Sequence, residues 1–440
     1  MSDCIVAPAT APGRAALALV RFSGPDLLDR IGAVVRLRSG TWASGRARRV
    51  DLRDARGGFD DGVAIWTRAP NTYTGEDTLE VTCHGNPRIV DRLVRASIAA
   101  GCRMAGPGEL TRRAVVNGKL DLVAAEAVEQ VVRATSDAGL RIGRAALDGE
   151  LGAFLAEARG RLVEVAAELE ARMDWPEDEL AHEADEALVH SLGALRDRCC
   201  ALADTASAGR IQVEGARVAL VGPVNAGKSS LFNALLGRDR ALVHERPGTT
   251  RDVVEARAEL DGLALVLLDT AGERVTDDPI EAAGLALAQR LIAEADALIV
   301  VLRARPEGLS EIEAAILART ADRRRLVVCN GVDRHPAFEG LPVSAKTGEG
   351  IGALKTELRG LLVGEVTRFE TLTIASARQA DLLEATARAC DEAIEALPVA
   401  GVAVSADAVT HGIAALDALT GADTREDVLD AVFARFCIGK

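Results

Sequence analysis

Gly222-Pro223-Val224-Asn225-Ala226-Gly227-Lys228-Ser229 is the stretch on which the fold turns. Its spacing is G-x4-G-K-S. It follows the apolar run Arg217–Val221, which predicts a strand, and precedes Ser229–Leu236, which predicts a helix. Backbone N–H groups of a loop in that position point at phosphate oxygens, and the helix N-terminus favours the negative charge. Asn225, Ala226, Gly227, Lys228, Ser229 and Ser230 are therefore candidate phosphate contacts. Lys228 would reach the β- and γ-phosphates, and the Ser229 hydroxyl would ligate Mg²⁺.

Downstream, Asp269-Thr270-Ala271-Gly272 ends an apolar strand with the pattern D-x-x-G. Asp269 would act on the Mg²⁺ shell and the Gly272 N–H on the γ-phosphate. Between the two motifs lies Gly248-Thr249-Thr250-Arg251-Asp252, where a threonine, here Thr250, can complete the metal shell. A guanine site of this type uses N-K-x-D after a strand. Here Leu326–Cys329 is followed by Asn330-Gly331-Val332-Asp333. Asp333 would accept the guanine N–H groups, and Ser344-Ala345-Lys346 would support the O6 side. Gly331 stands where the lysine would lie along the base. The motifs in this order imply GTP as substrate.

Around them, residues 214–365 alternate strand and helix, with strands at 253–260, 263–269 and Ala297–Leu302 and a helix near 281–295. That order predicts a mostly parallel sheet with helices on both faces. The flanks read differently. Leu151, Leu155, Ala158, Leu162 and Leu169 recur at helical steps, a second helix is expected through about 184–205, and 376–397 and 425–436 look helical again. The simplest organisation is a discontinuous helical domain, 119–213 and 366–440, with 214–365 inserted in it. Residues 1–118 predict a separate α+β domain, with strands at Ala16–Phe22, Gly62–Trp66 and Thr78–Cys83 and helices at Asp26–Val35 and Ile89–Ala100.

Composition narrows the function classes. The 440 residues hold 52 Lys plus Arg and 66 Asp plus Glu, a net charge of −14 that rules out a continuous basic coat for nucleic acid. Charge is uneven: residues 1–118 are net +5 and residues 366–440 net −6. No run of about 18 uncharged apolar residues predicts a membrane span. The start lacks the pattern of a secretory signal, and the eight cysteines contain no CxxC, so reduced thiols in a cytoplasm are expected. Only five of the basic residues are lysine, and two of them, Lys228 and Lys346, fall in the nucleotide motifs.

The whole chain resembles the MnmE (TrmE) family of bacterial tRNA uridine-modification GTPases. The resemblance is carried by Pro8–Arg14, Arg21-Phe22-Ser23-Gly24, Pro70–Asp77, His84-Gly85, Asn117–Leu122, Ala124–Ala127 and the terminal Phe436-Cys437-Ile438-Gly439-Lys440, together with the nucleotide motifs. It implies an α+β folate-binding and dimerisation domain, a discontinuous α-helical domain and an inserted Ras-like α/β P-loop GTPase domain. It implies a homodimer that works with an MnmG-type flavoprotein, in a heterotetramer or larger complex, with FAD supplied by the partner. The expected reaction places an aminomethyl or carboxymethylaminomethyl group on C5 of the wobble uridine of certain tRNAs, from a 5-formyl- or methylene-tetrahydrofolate.

By the same resemblance, Arg21, Glu80, Lys119 and Lys440 contact the folate. K⁺, held by Asn225 and by oxygens of His244, Arg246 and Thr249, replaces an arginine finger. The loop His244, Glu245, Arg246, Pro247, Gly248, Thr249 and Thr250 surrounds the nucleotide. Lys228 and Glu281 are the catalytic pair, Glu281 acting on the attacking water, with Glu273 as its rival. Cys437 could be a nucleophile, but packing of Phe436, Cys437 and Ile438 into the helical domain explains it as well. His84 reads as a strand-end residue, with a neighbour of the folate site as the other reading. An RNA-binding ribosome-assembly GTPase is the alternative, and it would need a basic C-terminal module that the net −6 of residues 366–440 does not supply.

Overall fold

A computed structural model describes residues 3–174, 181–236, 253–260, 262–270, 290, 292–363, 372–422, 426–434 and 436–439. The chain forms two compact units. The first is Met1–Glu129 with Leu151–Leu188 and Glu392–Lys440, and the second is Gln130–Glu150 with Val189–Asp391.

The first unit is built on a seven-stranded sheet. Its strands are β1 (Cys4–Pro8), β2 (Leu17–Ser23), β3 (Val35–Leu37), β4 (Arg46–Asp54), β5 (Gly57–Thr67), β6 (Thr78–His84) and β7 (Cys102–Met104). They lie in the order β3-β4-β5-β6-β2-β1-β7, and every pairing is antiparallel except β1 with β7. Alternation decides the faces. Val20, Phe22, Val50, Leu52, Ala64, Leu79 and Val81 bury together with residues of helix Pro87–Ala99. The opposite face carries Arg21, Val63, Ile65 and Glu80, and Val63 and Ile65 are exposed. Asn86 starts the helix by accepting the Arg88 N–H, with Pro87 at its first turn.

Two expectations change here. The helix placed at Asp26–Val35 is only Leu27–Ile31, because Gly32 ends it and Val35 enters β3. Strand β4 was not expected, since Arg46, Arg48, Arg49 and Arg53 mask an alternation that buries only Val50 and Leu52. The unit also contains the helix Val402–Thr420, which is long and apolar enough to cross a bilayer by length and composition. It reads better as a core helix. Ser405 donates to the Ala393 carbonyl within the unit at 2.9 Å, and Asp417 pairs with Arg159 at 2.6 Å.

The second unit holds a six-stranded sheet of β8 (Ala216–Val221), β9 (Val253–Leu260), β10 (Leu263–Thr270), β11 (Ala297–Arg303), β12 (Arg325–Asn330) and β13 (Leu341–Val343). The order is β13-β12-β11-β8-β10-β9, parallel throughout except for β9. Strand β11 is buried from Ala297 to Leu302 because both sheet faces are covered. The chain leaves β8 towards β10 on one side and reaches β11 on the other. A ligand site is expected at such a reversal, beyond the C-terminal ends of the strands.

Candidate functional site

The loop after β8 occupies that reversal. Asn225 and Gly227 adopt left-handed backbone, with φ of 64° and 88°. Glycine is demanded twice. A Cβ at Gly222 would stand 2.4 Å from the Val301 carbonyl oxygen, and one at Gly227 would stand 2.2 Å from Asn330 Nδ2. Lys228, the first residue of helix Lys228–Leu236, is buried, and its Nζ donates to the carbonyls of Gly222 and Pro223, both at 2.9 Å. The ammonium thus lies over the loop, where phosphate oxygens would exchange with those carbonyls. Ser229 follows it at the helix start and is exposed. Residues of this kind fit Mg²⁺, which takes few protein ligands beside phosphate oxygens and water.

The base end is held together by hydrogen bonds within the chain. Asn330 Nδ2 donates to the Ala226 carbonyl at 3.1 Å, and its Oδ1 accepts the Ala345 N–H at 3.0 Å. One side chain therefore ties the phosphate loop to the 344–346 turn. Ser344, fully buried, donates to Asp333 Oδ1 at 2.8 Å and so fixes the carboxylate. Strand β10 sets Asp269 beside Leu220, next to the loop's entry, and Thr270 ends the strand. Ala271, Gly272, Glu273, Glu281 and the stretch His244, Glu245, Arg246, Pro247, Gly248, Thr249 and Thr250 lie outside the described residues.

A second cluster forms in the first unit. Arg21 and Glu80 are cross-strand partners on β2 and β6, joined from Nε to Oε1 at 2.8 Å. Arg21 Nη1 also donates to the Gly439 carbonyl at 3.3 Å. The C-terminal tail reaches it because Ile438 bridges Pro107, and Gly439, at φ 95°, passes so close to Pro8 that a Cβ would stand 2.2 Å from its carbonyl oxygen. Lys440 lies outside the described residues. Lys119 is exposed, and its stem lies near Gly75, where a built Cβ would meet its Cγ at 3.4 Å.

Tyr73, the chain's only tyrosine, was not singled out from the sequence. Its hydroxyl bonds Thr111 Oγ1 at 2.9 Å, and burial raises its pKa against the opposing pull of Thr111 and the Arg21 charge. The signal was present in the quoted run Pro70–Asp77, but nothing in that run says which side chain reaches Thr111.

Buried charge holds the turn that carries Tyr73. Arg113 is 1% exposed and bonds Glu76 at 2.9 Å, Asp3 at 2.8 Å and Glu109 at 3.1 Å. Burial works against the charges of Asp3, Glu109 and Arg113. For Asp3 and Glu109 the Arg103 and Arg113 guanidiniums outweigh it and lower the carboxyl pKa, and for Arg113 the carboxylates raise it. Glu76 accepts from Ser23, Ser23 bonds Thr74, and Asn117 donates to the Thr74 carbonyl at 2.6 Å, so the turn is tied to β2 and to helix Glu109–Val116.

His84 ends β6, as expected, but Asp60 orients it: Oδ1 lies 2.7 Å from Nδ1 and Oδ2 accepts the His84 N–H. Asp61 completes a potential metal-ligand group with them, yet it already pairs with Arg38 and Arg49. The packing expected of the tail is found only for Phe436, which is buried against Phe433, while Cys437 and Ile438 are exposed.

Comparison with known proteins places the chain along its length. Residues 122–437 match the family model for the MnmE helical domain, and residues 4–119 match the one for the GTP-binding protein TrmE N-terminus. A tRNA modification GTPase MnmE from Myxococcus xanthus is 40% identical over 447 residues, covering 100% of this chain and 99% of that protein. One from Akkermansia muciniphila is 38% identical over 99% of this chain and 98% of its own length. Among solved structures, the G domain of the T. maritima FeoB iron transporter is 25% identical over 33% of this chain and 98% of that chain, with a TM-score of 0.26.

Proposed function

Because the chain belongs to the MnmE family of tRNA modification GTPases, we propose that it couples GTP hydrolysis to modification of C5 of the wobble uridine in tRNA. GTP hydrolysis is the activity of the second unit. The observation that carries the wider reading is the joining, in one chain, of a phosphate loop with its base end and a separate Arg21–Glu80 pair reached by the C-terminal tail.

At the nucleotide, Lys228 supplies charge to the β- and γ-phosphates, Ser229 and Thr250 hold Mg²⁺, and Asp333 selects guanine. Asn225, with oxygens of His244, Arg246 and Thr249, holds K⁺, a monovalent charge where negative charge develops in phosphoryl transfer. Glu281 orients the attacking water.

In the first unit the donor set fits a reduced folate. A carboxylate such as Glu80, held by Arg21, matches the paired N–H groups of a pterin edge, and Lys119 and Lys440 match the carboxylates of its tail. The folate, when bound, supplies the one-carbon unit. The chain's own residues orient it, and the buried Arg113 network holds their frame. The reading further assigns a homodimer, an MnmG-type flavoprotein partner that brings FAD, and a cytoplasmic location with tRNA. It also keeps the three-part organisation at 1–118, 119–213 with 366–440, and 214–365.

Two assays on the purified chain test these parts. GTP turnover in K⁺ against Na⁺ is expected to be much faster in K⁺, and equal rates would remove the cation from the account. Titration with 5-formyl-tetrahydrofolate is expected to show binding that Glu80→Ala abolishes; unchanged binding would remove the folate site.

A further inference from the structure

Among the described residues, the base end of the nucleotide site is complete at its edges and open beside Gly331. Asn330 and Ser344 are buried and bonded, and Asp333 is held for the guanine edge. Gly331, between them, donates its N–H to the Val343 carbonyl at 2.9 Å and has φ of 99°. Among the described residues, the one heavy atom within 4 Å of a Cβ built there is the Ala304 methyl, at 3.9 Å.

That neighbour is fixed in place. The Ala304 N–H donates to the Asn330 carbonyl at 2.8 Å. The loop beyond it is pinned by Glu313, a fully buried carboxylate that accepts the Arg303 N–H at 3.0 Å, the Ser310 N–H at 3.0 Å and the Ser310 hydroxyl at 2.7 Å. Arg305, a cation on this loop, is committed to Glu313 and to the Gly308 carbonyl. The loop therefore supplies a wall beside Gly331 and no cover.

We propose that Gly331 leaves one face of the bound guanine uncovered, so that this chain holds its nucleotide by the phosphates and the base edge and releases it quickly. The inference rests on the GTPase reading above and adds a residue that sets affinity without setting base choice. A long side chain at this position would lay methylenes on the base. Two buried methylenes amount to roughly a tenfold gain in affinity. A left-handed backbone strains any side chain, so the reference is Gly331→Ala, which carries the same strain and no cover.

The test compares GDP binding and release, with a fluorophore on the ribose, in the full-length chain, Gly331→Ala, Gly331→Lys and Gly331→Arg. Against Gly331→Ala, the lysine and arginine variants are expected to bind about tenfold more tightly, mainly through slower release. Asp333→Asn in the unmutated chain is expected to shift preference from GDP to XDP, and the Gly331 variants are expected to leave preference unchanged. If the two long variants release GDP as fast as Gly331→Ala, the open face does not limit binding and the inference is overturned, with the base site intact. If Asp333→Asn leaves base choice unaltered, the base-edge reading fails and takes the inference with it.

Discussion

The two candidate sites of this chain are built in opposite ways. The nucleotide candidate is made of short runs of residues at strand ends, with left-handed turns at Asn225 and Gly227, and Asn330 clips the pieces together. The folate candidate is made of side chains drawn from β2, β6, the 70–77 turn, the end of helix Glu109–Val116 and the last residues of the chain. A local site tolerates distant change, whereas a dispersed one depends on everything that fixes the register and position of its parts.

Breaking the frame should therefore harm the second site alone. Arg113→Leu leaves Glu76, Glu109 and Asp3 without their buried partner, and such a loss costs about 3–5 kcal/mol. Denaturant unfolding is expected to show a first transition moved to lower concentration, with GTP turnover unchanged where the second unit stays folded. A site indifferent to this change would not be dispersed. Lys228→Ala should do the reverse. Removal of a charge that stabilises the transition state lowers turnover on the order of 10²–10³-fold, with 5-formyl-tetrahydrofolate titration unaltered.

These contrasts explain what the sequence disclosed. The loop at Gly222–Ser229 was legible because its function is a contiguous pattern, and Asn330, Asp333 and Ser344 follow from their place after strands. Arg21 and Glu80 are 59 residues apart and meet only through the antiparallel register of β2 with β6. Resemblance, not pattern, pointed to them. Tyr73 stayed hidden for the same reason, as did the clip formed by Asn330 with the Ala226 carbonyl, which needs tertiary geometry. Strand β4 escaped because four arginines outweigh its two buried residues. The helix Val402–Thr420 escaped because its many alanines and valines blur the contrast between its faces.

Smaller perturbations sharpen the comparison. Gly439→Ala would bring a Cβ against the Pro8 carbonyl and strain a left-handed turn, moving the tail from Arg21. Folate affinity is expected to fall about tenfold, ~1.4 kcal/mol, and unchanged affinity would free the site from the tail. Acid should act on the same frame. Asp3 and Glu109 are held below their ordinary values of 3.8 and 4.5. Their stabilisation is present above those values and is lost as pH falls through the lowered ones, so the first unit is expected to lose stability below about pH 4.5, and Arg103→Met to flatten that dependence. The smallest effect is local: the bond to Asp60 and its charge raise the His84 pKa above 6.5, and Asp60→Asn should return its NMR titration towards that value.

The central claim is that both sites serve one reaction on tRNA. Mass analysis of tRNA nucleosides from a strain lacking this chain, with and without its return, tests it most directly. The expected result is loss of the C5 aminomethyl-type group from wobble uridines, restored by the intact chain and by neither Lys228→Ala nor Glu80→Ala. Wobble uridines that keep their modification in the deletion strain would contradict the account.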